Sequence, residues 1–147
     1  MKIEGSSEIP APLDQVWSAL LDPDKLAAAI PGAEKLEAIG PNEYKATVKI
    51  GVGPVKGTFE GKVKLSDIEP PKRYKMAMEG SGGPGFVRGE AIMELEPADA
   101  GSRVKYHADV QIGGLIASVG QRMLGGVSRM MLDQFFSRVT EILTAKK

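Results

Sequence analysis

Between Tyr44 and Ile50 apolar and polar residues alternate, Tyr44, Ala46, Val48 and Ile50 against Lys45, Thr47 and Lys49. That is the period of a strand with one dry face and one wet one. The pattern recurs as Phe59, Gly61, Val63 and Leu65 against Glu60, Lys62 and Lys64; as Tyr74, Met76 and Met78; as Ala91, Met93 and Leu95; and as Val104, Tyr106, Ala108, Val110 and Ile112. Turn-forming residues separate the runs: Gly40-Pro41-Asn42, Gly51-Val52-Gly53-Pro54, Glu69-Pro70-Pro71-Lys72, Gly80 to Gly85 and Asp99-Ala100-Gly101. Connections this short join antiparallel neighbours, so the stretch from Ala33 to Ile112 is predicted to be a meander.

Residues 2 to 9 supply a further strand, which Pro10-Ala11-Pro12 ends while presetting the backbone for a helix at Leu13. Leu13, Val16, Trp17, Leu20 and Leu21 then recur at helical spacing, the stripe of a helix buried on one side. Asp22-Pro23 restarts the chain with a cap and a proline, predicting a second short helix from Asp24 to Ile30 that Pro31-Gly32 terminates. From Leu115 to Leu143 the period is again helical, with Ile116, Val119, Met123, Val127, Met130, Met131, Phe135, Val139 and Ile142 on one side and Arg122, Arg129 and Asp133 opposite. At about 1.5 Å per residue this helix spans roughly 40 Å, enough to cross a sheet. Ser118 and Gln121 form a candidate capping box, which makes Gly113 to Ala117 an ordered loop. Gly120, Gly125 and Gly126 each cost about 1 kcal/mol in such a helix. They are expected where the helix approaches a strand closely and leaves room for a bound molecule.

A meander with one dry face needs a cover, and the helices are the elements available. The expected fold class is therefore α+β: a curved antiparallel sheet of about six to seven strands wrapped around the long C-terminal helix, with two short helices after the first strand. At 147 residues the chain is read as one domain, 1–147. Lysine plus arginine and aspartate plus glutamate both number 19, so no net field draws the chain to nucleic acid. There is no cysteine, and His107 is the one histidine, which leaves no metal set and fits a cytoplasmic protein. Charged residues follow Met1 at once and no apolar run reaches the roughly 18 residues of a membrane span, so neither a signal peptide nor a spanning helix is expected. Aromatic residues make up only 5% of the chain, which leaves a curved sheet short of bulk to fill its interior. Methionines Met76, Met78, Met93, Met123, Met130 and Met131 fall on or near inward positions, as core filler or as the flexible lining of a cavity.

No catalytic group stands out. His107 alternates with Tyr106 and is assigned to the wet face; Ser81, Ser102 and Ser118 sit in turns or at a helix start, where hydroxyls bond the backbone. Glu60, Glu79 and Glu90 alternate with apolar residues and face water; one turned inward would be a candidate acid. Gly80 to Gly85 lacks a following helix and reads as a hairpin turn, with a second role as a flexible mouth to a cavity. Trp17 reads as core before ligand platform, and Phe136, off the main stripe, as part of a contact surface.

Together, Pro12 to Trp17 with Asp22-Pro23, Ile30-Pro31-Gly32-Ala33, Gly51 to Gly61 (GVGPVKGTFEG), Gly80 to Ala91, and Gly113 to Gly125 (GGLIASVGQRMLG) resemble the CoxG family of carbon monoxide dehydrogenase subunits. That family is a branch of the START-like, helix-grip superfamily, which includes polyketide cyclases and plant lipid-binding proteins. The resemblance implies a helix-grip fold with an apolar cavity under the last helix. It also implies an accessory role beside molybdenum-containing dehydrogenases, linked to membrane recruitment and quinone handling. Some relatives continue into a linker and an amphipathic tail, whereas this sequence ends at Lys146-Lys147, so attachment through such a tail is not carried over.

The expected function is that of a non-enzymatic carrier for a quinone or lipid, without catalytic residues, cofactor or metal, and with peripheral membrane contact. Its predicted lining is Trp17, Val48, Phe59, Val63, Met76, Met78, Met93, Tyr106, Met123, Val127, Met130 and Met131, with Tyr106 or Tyr44 giving one orienting hydrogen bond. The alternatives are a cyclase- or hydrolase-type enzyme and a protein-interaction module.

Overall fold

In the computed structural model, which describes residues 1–52, 55–83, 85–99 and 101–144, strand β1 (Lys2–Ile9) runs into Pro10-Ala11-Pro12 and the chain turns helical at once. Helix α1 (Leu13–Leu20) starts from an extended Pro12, whose carbonyl accepts from the amides of Gln15 and Val16 at 3.0 and 3.1 Å. Its dry side buries Val16, Trp17, Ala19 and Leu20. Helix α2 (Pro23–Ala29) begins one residue before its expected start. Asp22 caps it, with Oδ1 accepting from the Asp24 amide at 3.0 Å, and Pro23 occupies the position where an amide is dispensable.

Six more strands follow: β2 (Ala33–Gly40), β3 (Glu43–Val52), β4 (Val55–Glu69), β5 (Arg73–Gly82), β6 (Gly85–Ala98) and β7 (Gly101–Gly113). All pair antiparallel in one seven-stranded sheet of order β1-β7-β6-β5-β4-β3-β2. The expected Gly80–Gly85 turn is tighter than its glycines suggest, because pairing continues to Gly82 opposite Gly85. Gly53, Pro54, Pro84 and Ala100, at the tips of three expected turns, lie outside the described residues. β2 is the strand that alternation left unmarked. Its register slips between Ala33 and Lys35 and again between Ala38 and Gly40, which breaks the two-residue period.

The sheet curls because its dry face is short of side chains. An added Cβ at Gly61 would lie 2.6 Å from the Glu79 carbonyl oxygen, and one at Gly89 would collide with the carbonyl of Asp109. At these points adjacent strands fold toward each other on the concave side, which only glycine permits.

Helix α3 (Gln121–Thr144) lies in the curl, preceded by a 3-10 turn at Leu115–Val119. The capping box does not form. Ser118 Oγ donates to the Leu115 carbonyl at 2.6 Å inside the 3-10 turn, and α3 begins after Gly120, whose carbonyl accepts from the Leu124 amide at 3.1 Å. Gly120 has φ 91°, so glycine supplies the change of direction.

Two separate apolar clusters hold helix to sheet. The larger gathers Ile9, Trp17, Leu20, Leu65, Tyr74, Met93, Leu95 and Val104 around Phe136 and Val139 of α3. The smaller joins Phe59 and Ile116 to Leu124 and Val127 at the start of the helix. Phe136, expected at a contact surface, is 3% exposed and stacks on Tyr106 with ring centroids 5.4 Å apart. Ser102 is fully buried, and its Oγ donates to the Ala11 carbonyl at 2.7 Å, tying β7 to the start of α1.

Candidate functional site

The strand register sets two rows of inward residues across the middle of the sheet. One runs Tyr44, Val63, Met78, Gly89, Val110; the next runs Ala46, Gly61, Gly80, Val87, Ile112. Both lie on the face that α3 covers. Of these ten residues only Val110 is buried; the others keep partial access to a water-sized sphere. Toward Phe136 the inward residues Tyr74, Met93, Leu95 and Val104 are closed off, and toward Val127 so is Phe59. The smaller cluster meets α3 as far as Met131 and the larger one from Leu132 onward, and between Phe59 and Leu65 of the sheet the two rows are incompletely covered. Four of the ten positions are glycine or alanine, so this part of the dry face carries little side-chain bulk.

The predicted lining divides into four groups. Trp17 and Met93 are buried in the larger cluster, with Val63, Met76 and Tyr106 packed against it. Phe59 and Val127 are buried in the smaller one, with Met131 against it. Val48, Met78 and Met130 are half-buried and belong to neither cluster. Met123 is 46% exposed, and its neighbour Leu124 takes the buried position instead. Ala46, Gly61, Gly80, Val87, Gly89 and Ile112, half-buried on the same face, were not among the predicted lining. Alternation already put Ala46, Gly61 and Ile112 on the dry face, but attention to bulky side chains passed over the small ones that make room.

The helix glycines need correction too. A Cβ added at Gly120, Gly125 or Gly126 would meet nothing within 4 Å, so close approach to a strand is not their role. Gly125 is half-buried and Gly126 exposed.

Three phenols, Tyr44, Tyr74 and Tyr106, stand on the inward face. Tyr44 donates a long hydrogen bond of 3.4 Å to the Leu21 carbonyl. Tyr74 stands edge-on to Trp17, ring centroids 5.5 Å apart, and burial, with a smaller contribution from Tyr44, drives its pKa well above the usual phenol value. Tyr106 is raised as well, first by desolvation and then by Asp133, with Arg129 opposing. Glu60, Glu79, Glu90 and His107 are exposed on the opposite face of the sheet, as their alternation implied. Among the described residues no three His, Cys, Asp or Glu side chains converge as metal ligands.

That opposite face has a groove of its own, about 710 Å³, lined by Ile39, Ala77 and charged residues including Lys62, Glu79 and Arg88. Some of its charges are engaged across strands, Lys64 with Glu43 at 3.6 Å and Arg88 Nε with Gln111 Oε1 at 3.1 Å. The sheet separates it from the two inward rows, whose apolar side chains suit hydrocarbon and offer few directional contacts.

Comparison with known proteins agrees with this geometry. The family of the carbon monoxide dehydrogenase subunit CoxG matches residues 5–144. A crystal structure of a conserved protein from Geobacillus kaustophilus is 38% identical, with TM-score 0.94 over 97% of this chain and 95% of that one. The structure of Ara h 8.0201 superposes with TM-score 0.71 at 19% identity, over 99% of each chain, and that of protein CV1439 from Chromobacterium violaceum with TM-score 0.75 at 14%, also over 99% of each. At such identities the last two speak for the helix-grip fold alone. No curated protein matches the chain.

Proposed function

Because the chain belongs to the CoxG family of carbon monoxide dehydrogenase subunits, we propose that it is a non-catalytic accessory protein holding an apolar small molecule, a quinone or a lipid, between α3 and the curved sheet. The observation that carries this reading is the accessible double row beneath a helix, where a filled core would be closed. Each roughly 100 Å² of ligand surface taken from water contributes on the order of 2.5 kcal/mol before ordering costs, so an isoprenoid or acyl chain binds there without a charged contact. Met78, half-buried on the inward row, adapts to ligands of different shape. Carboxylates kept on the outer face favour carriage over acid-base chemistry.

The partner we assign is a molybdenum-containing dehydrogenase of the carbon monoxide dehydrogenase type, on the strength of the family description. We also assign a peripheral membrane contact to the end where α3 begins. There Leu115 is 76% exposed and Met123 46%, with exposed Arg122 between them in sequence, a pairing of apolar and basic groups that suits an anionic lipid surface. No helix among the described residues is long and apolar enough to cross a membrane.

Native mass spectrometry of gently extracted protein tests the central claim. An apolar mass should accompany the wild-type chain and be lost from Ala46→Phe, whose added ring fills the space while the protein stays folded. An empty wild type that also fails to bind added quinones and fatty acids, or retention of the same mass by Ala46→Phe, would overturn it.

A further inference from the structure

Strand β1 pairs with β7 on one side only, and the side it leaves free is regular. The Met1 amine donates to the Val110 carbonyl at 2.7 Å and the Val110 amide to the Met1 carbonyl at 2.8 Å, so these two residues exchange both bonds. Such pairs alternate along an antiparallel ladder. Ile3, Gly5 and Ser7 therefore direct their main-chain groups to Ala108, Tyr106 and Val104, while the amides and carbonyls of Lys2, Glu4, Ser6 and Glu8 point away from the sheet. These four residues are exposed, and among the described residues no main-chain bond from another element reaches them. The register with β7 runs without a slip from Lys2 to Ile9.

The order of side chains along this edge is self-complementary. When a second β1 runs antiparallel to it with Gly5 opposite Gly5, Lys2 of each chain faces Glu8 of the other and Glu4 faces Ser6, so opposite charges meet on the wet face. Glu8 is already held in place by Arg103 at 2.8 Å. Moving the second strand by two residues one way sets Glu4 against Glu4. Moving it the other way sets Glu4 against Glu8, and Lys2 against Pro10, which has no amide to donate. On the dry face the matched register brings the two Gly5 Cα atoms to about 4.5 Å, each beneath its own chain's phenol. The Tyr106 hydroxyl oxygen lies 2.6 Å from where a Gly5 Cβ would stand, so the ring supplies the bulk that the glycine lacks.

We infer that β1 is a self-association edge: a second copy of this chain adds its own β1 antiparallel in the Lys2–Glu8 register and joins two seven-stranded sheets into one. At the far edge β2 slips register twice, so the pair closes without growing. Because the joined strands are antiparallel, the α3 starts of the two copies point in opposite directions, and one copy at a time meets a given membrane.

Interfaces this small are weak, so the test is mass by sedimentation equilibrium from about 5 to 500 µM. Wild type should rise from monomer toward dimer over that range and no higher. Ser6→Pro removes an amide that faces away from β7, where proline is tolerated, and should stay a folded monomer throughout. Lys2→Glu and Glu8→Lys should each weaken association about tenfold or more, since like charges then meet in both pairs. An equimolar mixture of those two variants should recover the wild-type dimer, because every glutamate at these positions again faces a lysine. A wild type monomeric at every concentration, leaving the edge to a foreign strand or to solvent, would overturn the inference. So would a dimer that Ser6→Pro leaves intact, or a mixture no more associated than its two components.

Discussion

At Gly89 an added Cβ would overlap the Asp109 carbonyl and lie 2.7 Å from Val110 Cα, while at Gly126 it would touch nothing. The sequence shows both as glycine, and what separates them is the distance to a neighbouring strand, which no local pattern reports. Gly89→Ala should therefore destabilise by on the order of 2 kcal/mol or more, and Gly126→Ala should stabilise by roughly 0.5–1 kcal/mol, both read from urea midpoints. Tyr74 sets a pH dependence of its own. Its folded phenol keeps the proton above the 10.0 of a free tyrosine, so the folded state binds more protons there and stability falls as pH rises past 10. Unfolding curves between pH 8 and 11 should show a gentler fall for Tyr74→Phe than for wild type. Position on the dry face was legible for Tyr74; the depth of its burial was not, because that depends on elements packed above the sheet.

Helix α3 shows why one apolar stripe was too simple. Phe136 comes nine residues after Val127, and at about 100° per residue the two lie on nearly opposite sides of an ideal helix, yet both are buried. The buried side moves from Leu124 and Val127 at the start to Leu132, Phe136 and Val139 further on, because the two clusters meet the helix from different directions. A single stripe projected over the whole length therefore assigned Phe136 to the surface and Met123 to the interior. Phe136→Ala should cost about 3–5 kcal/mol, against at most about 0.5 kcal/mol for Met123→Ala, in chemical denaturation of each variant. The short helices were legible within a residue because a proline and a capping aspartate act locally. The 3-10 turn before α3 was not, since Ser118 there bonds back to Leu115 when the sequence pattern had it capping forward.

Over the molecule as a whole, the curved sheet, the covering helix and six of seven strands were legible, since alternation and turn chemistry are repeated along the chain. The shortage of bulk under the helix was legible, and the two half-buried rows between Phe59 and Leu65 required the register. The two apolar clusters differ in size, so the molecule should open unevenly. Amide exchange is expected to be faster in α3 around Val127 than around Val139, and a bound apolar ligand should slow the faster half more. Uniform protection along α3 would contradict this.

A strand at the rim of a sheet offers free amides and carbonyls to any passing chain, and β2 answers with two slips of register and exposed Glu34, Lys35 and Glu37. Concentrated solutions should accordingly remain dispersed. Replacing Lys35 and Glu37 by valine would turn that rim into a template for intermolecular β-pairing, visible in light scattering as steady growth of fibrils or oligomers.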